Sequence, residues 1–206
     1  MFFIMSLKNK NNRSHSPTPL VFIFNKPYGV LSQFSPAGDR LTLKSFGPFQ
    51  NDIYPVGRLD AESEGLLILT NDNRIKHTLL DPKFEHPRTY LAQVERIPSE
   101  SALNQLMDGL VLHGIKTRPS IARLLNEEPM VPPRTKPIRF RKNVPTSWIE
   151  LTLKEGRNHQ VRRMMAAINH PCVRLIRVKI GNLALDSLLP GYFHRLSMEE
   201  VQDLFE

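Results

Sequence analysis

The stretch GRLDAESEGLLILTND, Gly57 to Asp72, sets a carboxylate, Asp60, two residues after Arg58, shortly before Gly65 and the apolar run Leu66 to Leu69. A carboxylate on a loop that feeds a buried strand has a rigid mount at the edge of a cleft. Two further side chains sit in equally ordered surroundings: Tyr90 in the strand-like TYLAQV, and Arg162 in the helix-like HQVRRMMAAINHP. A carboxylate, an aromatic ring and a guanidinium can together form a metal-free carboxylate site. Each has a plainer reading taken singly. Asp60 suits the cap of a short turn over Ala61-Glu62-Ser63-Glu64, Arg58 suits a surface charge, Gly57 and Gly65 suit turns, and Tyr90 suits a core strand.

The elements that would position these residues follow from period and punctuation. At about 100° per residue, Val161, Met164, Met165 and Ile168 form one apolar stripe, with His159, Arg162 and Arg163 on the other side. Arg162 lies roughly 60° from Met165 at the stripe's border, where a guanidinium can be half buried and aimed into a cleft. The run LVFIFNKPYGV reads as a strand entering a turn. LLIL reads as a buried strand closed by Thr70-Asn71-Asp72-Asn73, with Asn71 or Asp72 capping a helix over Arg74 to Leu80. TYLAQV is a strand with Tyr90, Ala92 and Val94 on one face. Ser99 caps a helix whose stripe is Ala102, Leu103, Leu106, Met107 and Leu110, stopping at Gly109. SWIELTL buries Ile149, Leu151 and Leu153, VRLIRVKIG is the last strand, and Ser197 with Glu200 makes a capping box. Strands alternating with few helices, joined by hairpin-like connections, imply an α+β class with a mixed, mostly antiparallel sheet.

Composition bounds the partners. The chain has 206 residues, enough for one domain or one domain of two lobes, and 28 Lys plus Arg against 20 Asp plus Glu give a net charge of +8. A polyanion, nucleic acid above all, is the default partner. One cysteine, Cys172, and no CxxC or paired-histidine spacing argue against structural zinc and fit a reducing cytoplasm. No apolar segment approaches the roughly 20 residues that cross a bilayer, so no membrane partner is expected. Neither GxGxxG nor a phosphate loop is present, so no nucleotide cofactor is expected. Residues 1–19 are polar, basic and proline-punctuated and read as a flexible tail. Between Glu127 and Pro145 an exposed loop would offer Arg134, Lys136, Arg139, Arg141 and Lys142 to phosphates.

Four blocks in order resemble the RsuA-type family of ribosomal RNA pseudouridine synthases: NKPYGV, GRLDAESEGLLILTND, RTYLAQV, and EGRNHQVRRM with the downstream RLIRVKIGNL and LPG. The resemblance spans Leu20 to Leu196. It implies a pseudouridine synthase fold of two lobes, flanked by helices around an RNA-binding cleft, using neither cofactor nor metal. Residues 20–206 would be the catalytic domain, without the separate S4-type RNA-binding domain that precedes it in many relatives, and the chain is expected to be a monomer. The substrate would be a uridine of large-subunit (23S) ribosomal RNA. By motif, Asp60 would be the catalytic aspartate, Tyr90 the ring packing on the target base, and Arg162 the partner of Asp60, holding it in its charged form. Lys26, Arg58, Arg157, His159 and Arg163 would contact the RNA or scaffold the site.

Two rival readings keep to the residues. A noncatalytic ribosomal-RNA-binding or assembly protein needs only basic charge and loops, but gains nothing from Asp60. Glycoside hydrolysis needs a second acid; Glu62 and Glu64 are candidates, and both are expected to be solvated.

Overall fold

The computed structural model describes residues 19–138 and 141–205. The expected tail, apart from Pro19, and Arg139 of the basic loop lie outside the described residues.

In chain order the described elements are β1 (Val21–Lys26), β2 (Tyr54–Pro55), β3 (Glu64–Thr70), α1 (Asn73–Leu80), β4 (Arg88–Glu95), α2 (Glu100–Asp108), β5 (Val111–Leu112), β6 (Ile115–Lys116), β7 (Ile121–Leu124), β8 (Thr146–Leu153), α3 (Gln160–Ala167), β9 (Cys172–Ile180), β10 (Leu183–Ala184), β11 (Phe193–Arg195) and α4 (Met198–Asp203). The class is α+β, as the patterning implies. Local chemistry sets the helix starts. Asp72 accepts from the N–H groups of Arg74 and Ile75 to cap α1, Ser99 accepts from Ala102 to cap α2, and Ser197 and Glu200 close a reciprocal capping box on α4.

One mixed sheet runs through the molecule in the order β11-β1-β3-β9-β4-β8-β7, with β2 on β3 and β10 on β9. Every pairing in it is antiparallel except that of β3 with β9. This parallel seam is short, matching Glu64 with Ile176 and Gly65 with Arg177. Gly65 has φ +103°, and a Cβ there would stand 2.2 Å from the Arg177 carbonyl oxygen. No other residue type lets the two backbones meet so closely.

The seam divides the packing into two halves. On one side β4, β8 and β9 bury Tyr90, Ala92, Val94, Ile149, Leu151, Leu153 and Leu175 against Val161, Met164, Met165 and Ile168 of the α3 segment and Leu106 of α2. These are the stripes and alternations legible in the sequence. On the other side Ile23, Leu66 and Ile68 pack on Ile75 and Leu79 of α1 and Val201 of α4, while Phe24, Leu67 and Leu69 face a second, phenylalanine-rich cluster. Leu66 to Leu69 are at most 1% exposed, worth roughly 1.5–3 kcal/mol per side chain. They give the chain just before them a firm mount.

The long segment between β7 and β8 is anchored at several points. Arg174 donates to the Pro132 carbonyl at 2.7 Å, the Arg134 guanidinium lies 4.2 Å from the centroid of the Tyr28 ring, and Arg141 pairs with Glu95 at 2.9 Å. Its expected supply of loose cations is therefore partly committed to the protein itself. Among the described residues no helix is long and apolar enough to cross a membrane.

Candidate active site

Asp60 stands on the turn that leads into β3, and hydrogen bonds fix that turn on every side. The Ser32 hydroxyl donates to the Leu59 carbonyl at 2.8 Å and accepts from the Leu59 N–H at 3.0 Å. Gly29 N–H donates to the Ala61 carbonyl at 2.7 Å, and Ser63 N–H to the Asp60 carbonyl at 3.0 Å. Arg162 Nη2 donates to the Glu62 carbonyl at 2.8 Å. The turn is closed by the Asp60 main-chain oxygen, so the carboxylate is not spent on capping. It is half-buried, and its Oδ2 lies 3.3 Å from Nδ1 of His159.

His159 reaches Asp60 because the β8–α3 connection ends in a left-handed residue. His159 itself has φ 50° at the N-cap of α3. Gln160 locks the connection, accepting from Arg157 N–H at 2.9 Å and donating to Glu155 at 2.6 Å.

Between these turns opens a cleft of about 870 Å³, whose lining includes Asp60, Arg58, Arg157, His159, Tyr90 and Arg177. Tyr90 is 9% exposed and belongs both to the core and to the cleft lining. Tyr90 of β4 pairs with Arg177 of β9, and the register shifts between Thr89 and Tyr90. Directly opposed residues of an antiparallel pair point to one face, and irregularities of this kind are common beside active sites.

Arg177 is the residue that the sequence reading missed. It is 5% exposed, its Nε donates to the Leu66 carbonyl at 2.8 Å, and its Nη2 is buried without a partner. The signal was present in VRLIRVKIG, where Arg177 shares a strand face with the core residue Leu175. Ser63 Oγ and His86 Nε2 are likewise buried, unpartnered and part of the cleft lining. Unsatisfied buried polar atoms are rare in folded proteins, and their gathering here suits a wall built for a polar ligand. Arg88 belongs to the same lining. Burial pushes its guanidinium below the usual arginine range; Tyr90 pulls the other way, and Arg177 reinforces the fall.

Three expected site residues make contacts other than the expected ones. Arg162 forms no ion pair with Asp60: its Nη1 donates to the Cys172 carbonyl at 3.1 Å while Nη2 holds Glu62, so the guanidinium ties the Asp60 turn to the start of β9. The border position on α3 was legible, but the carbonyls it reaches come from distant parts of the chain. Lys26 cannot meet a phosphate, because its side chain is fully buried and its Nζ donates to the carbonyls of Pro27, Val30 and Ala61 at 3.0, 2.8 and 3.4 Å. Burial pulls its ammonium down to about 7, opposed by Glu64 and Asp60 and assisted by Arg177. Arg163 is exposed and outside the cleft, its Nη2 bonded to Asn158 at 3.0 Å.

Arg58 is exposed on the cleft wall. Arg157 also lines the cleft, held by Glu155 at 3.0 Å and the Lys116 carbonyl at 3.1 Å. The two acids weighed for hydrolysis also separate. Glu62 is exposed, whereas Glu64, expected in solvent, is buried in a two-point pair with Arg174 at 2.8 and 2.9 Å. Its position at the buried seam, opposite β9, explains the difference. Among the described residues no group of three or more His, Cys, Asp or Glu side chains is arranged to hold a metal ion.

A half-buried carboxylate on a fixed turn, an aromatic ring and buried cations around a cleft in this mixed sheet are features of an RNA-modifying isomerase. The RNA pseudouridylate synthase family model matches residues 20–167, and the chain belongs to that family. It is 49% identical over 173 residues to a ribosomal large subunit pseudouridine synthase E of Xanthomonas axonopodis pv. citri, covering 83% of this chain and 90% of that protein. A protein of the same name from Vibrio vulnificus is 41% identical over 198 residues, covering 94% of this chain and 84% of its own length. Among solved structures, a pseudouridylate synthase superposes with a TM-score of 0.76 at 29% identity, covering 91% of this chain and 74% of that one. The chain is accordingly an RNA pseudouridine synthase.

Proposed function

We propose that this enzyme converts a specific uridine of large-subunit (23S) ribosomal RNA to pseudouridine, with Asp60 as the catalytic carboxylate acting on a uridine turned out of its helix. The reaction breaks the N1–C1′ bond, rotates the uracil while it is held, and joins C5 to C1′, so that the proton leaving C5 is balanced by one gained at N1. Neither redox nor phosphate energy is required. Direct attack at C1′, stabilisation of positive charge there, and removal of a ribose proton each place a carboxylate beside the ribose.

The observation that carries this reading is the Asp60 turn: its main chain is fixed by Ser32, Gly29, Ser63 and Arg162 while Asp60 lines a cleft shared with Tyr90 and Arg177. Extruding a base costs a few kcal/mol, and stacking on an aromatic ring offsets part of it. Tyr90 offers that ring. Arg58 and Arg157 supply cations for the flanking phosphates.

The test is tritium release from C5-labelled uridine in an in vitro transcript of large-subunit rRNA, comparing this chain with Asp60→Asn. Release by the parent and less than about a thousandth of it by the variant, with RNA affinity retained, is the expected result. Turnover by Asp60→Asn near the parent's would remove Asp60 from the chemistry. Tight binding without release by the parent would return the chain to a noncatalytic rRNA-binding role.

A further inference from the structure

Elsewhere in the cleft lining, one carboxylate pairs with two cations. Glu85 Oε1 lies 2.6 Å from Arg118 Nη1, and its Oε2 lies 4.0 Å from Lys154 Nζ. All three residues line the cleft. Glu85 belongs to the segment leaving α1, whose Leu79 packs in the half built on β1 and β3; Lys154 follows Leu153, which packs in the half built on β4 and β8. The bridge therefore joins segments of the two halves within the cleft lining.

The three side chains are comparably exposed, Arg118 at 42%, Glu85 at 47% and Lys154 at 57%, and the main chain at Arg118 is the anchored part. Arg118 N–H donates to Glu155 Oε1 at 2.9 Å, and Glu155, only 11% exposed at its side chain, also holds Arg157 at 3.0 Å. Glu85 stands on a left-handed backbone at φ 50°, and the two cations are its side-chain partners. Asp81, the neighbouring acid, is occupied by Lys83 at 3.1 Å. Exposed bridges of this kind contribute little to stability, so one in the lining of a substrate cleft is readily exchanged.

We propose that Glu85 occupies the place of an RNA phosphate. Its two carboxylate oxygens face Arg118 and Lys154 as the two non-bridging oxygens of a phosphodiester would, and docking RNA displaces the carboxylate and takes both cations. Arg118 and Lys154 thereby become phosphate-binding residues, and Glu85 becomes a competitor built into the cleft that opposes weakly held RNA. This rests on the reading of the cleft as an RNA site.

The sign of one substitution tests it. Glu85→Gln keeps the shape and removes the competing charge, and should bind a large-subunit rRNA transcript about two- to fivefold more tightly in a filter-binding assay at fixed salt. Glu100→Gln, on the exposed first turn of α2, makes the same change in net charge and should give less than about half that gain. In an Arg118→Ala, Lys154→Ala background RNA should bind more weakly, and Glu85→Gln should no longer tighten it. A gain absent in Glu85→Gln, equal to that of Glu100→Gln, or surviving the loss of both cations would overturn the clasp. If the parent still releases tritium from the transcript in that case, the assigned function stands and only the clasp falls. A parent that binds no RNA would overturn both.

Discussion

His159 Nδ1 lies 3.3 Å from Asp60 Oδ2, and both residues line the cleft. The pair joins two loops 99 positions apart in sequence (159 − 60), each stiffened from behind: the Asp60 turn by Ser32 and Arg162, the His159 turn by Gln160. The imidazole is placed to orient the carboxylate, which the backbone bonds leave free to rotate. An aspartate acting at a ribose carbon needs that orientation, since misplacement by an ångström costs orders of magnitude in rate.

Two replacements of His159 separate its side chain from its backbone. His159→Asn tolerates the left-handed conformation, so the melting temperature should stay near the parent's while turnover falls about tenfold through loss of the oriented pair. His159→Val should lose roughly 1–3 kcal/mol in addition, because a β-branched residue is strained at positive φ. Urea unfolding and single-turnover rates on both variants check this; full turnover in His159→Asn would make the pair incidental.

For Arg162 the expected loss is one of positioning. Arg162→Met removes the donors that hold the Glu62 and Cys172 carbonyls, at about 0.5–1.5 kcal/mol for each hydrogen bond lost where water can reach the acceptor. The Asp60 turn is then tied by one bond fewer, and kcat should fall more than KM changes. Arg162→Lys, which reaches one carbonyl, should recover part of the stability. A Met variant with parental stability but no turnover would instead place the guanidinium in the chemistry.

Lys26 gives the stability curve a recognisable slope. Its folded pKa of about 7 lies below the 10.5 usual for a lysine, so above pH 7 the unfolded chain binds more protons than the folded one and stability rises with pH. The gain between pH 7 and 9 is roughly 2 kcal/mol. Above pH 9 Cys172 acts in reverse, since burial pushes its thiol up to about 11 and the unfolded chain then loses the proton first. Urea titrations at pH 7, 8 and 9 should show the rise in the parent and its absence in Lys26→Met. Equal slopes would mean that the ammonium stays charged in the fold.

What the sequence made legible was local, and what it hid was distant. Asp72, Ser99 and the Ser197–Glu200 box could be read because a cap bonds within three residues of itself, and SWIELTL because alternation is a property of a single strand. Asp60 and Tyr90 were legible as a charge before a buried run and a ring on a core face. Three relationships were not: Arg162 with Glu62, 100 residues apart; Arg174 with Glu64, 110 apart; and Lys26 with Ala61, 35 apart. In each a charged side chain, by type expected in solvent, is drawn inward by carbonyls or a carboxylate that only the closed sheet supplies. Arg177 is the intermediate case, since strand periodicity points it inward while its charge argues outward.

Tyr90 has two duties that substitution can separate. Its ring is 9% exposed and packs in the core with Ala92, Leu151 and Leu153, yet it also lines the cleft beside Arg177. Tyr90→Phe keeps the packing and a stacking surface, so stability should stay within about 1 kcal/mol of the parent and RNA affinity should be largely retained. Tyr90→Ala should lose about 3–5 kcal/mol of stability, the range for large aromatic side chains removed from a core. It should also lose the roughly 1–3 kcal/mol per base that stacking contributes. Because these losses differ in origin, they differ in temperature response: well below the variant's melting temperature the protein is folded, and only the stacking deficit remains. Single-turnover rates measured there should still be depressed in Tyr90→Ala. Recovery of the parental rate once the variant is fully folded would reduce Tyr90 to a core residue, whereas a Phe variant with full binding and little turnover would assign its hydroxyl a part in removing the C5 proton.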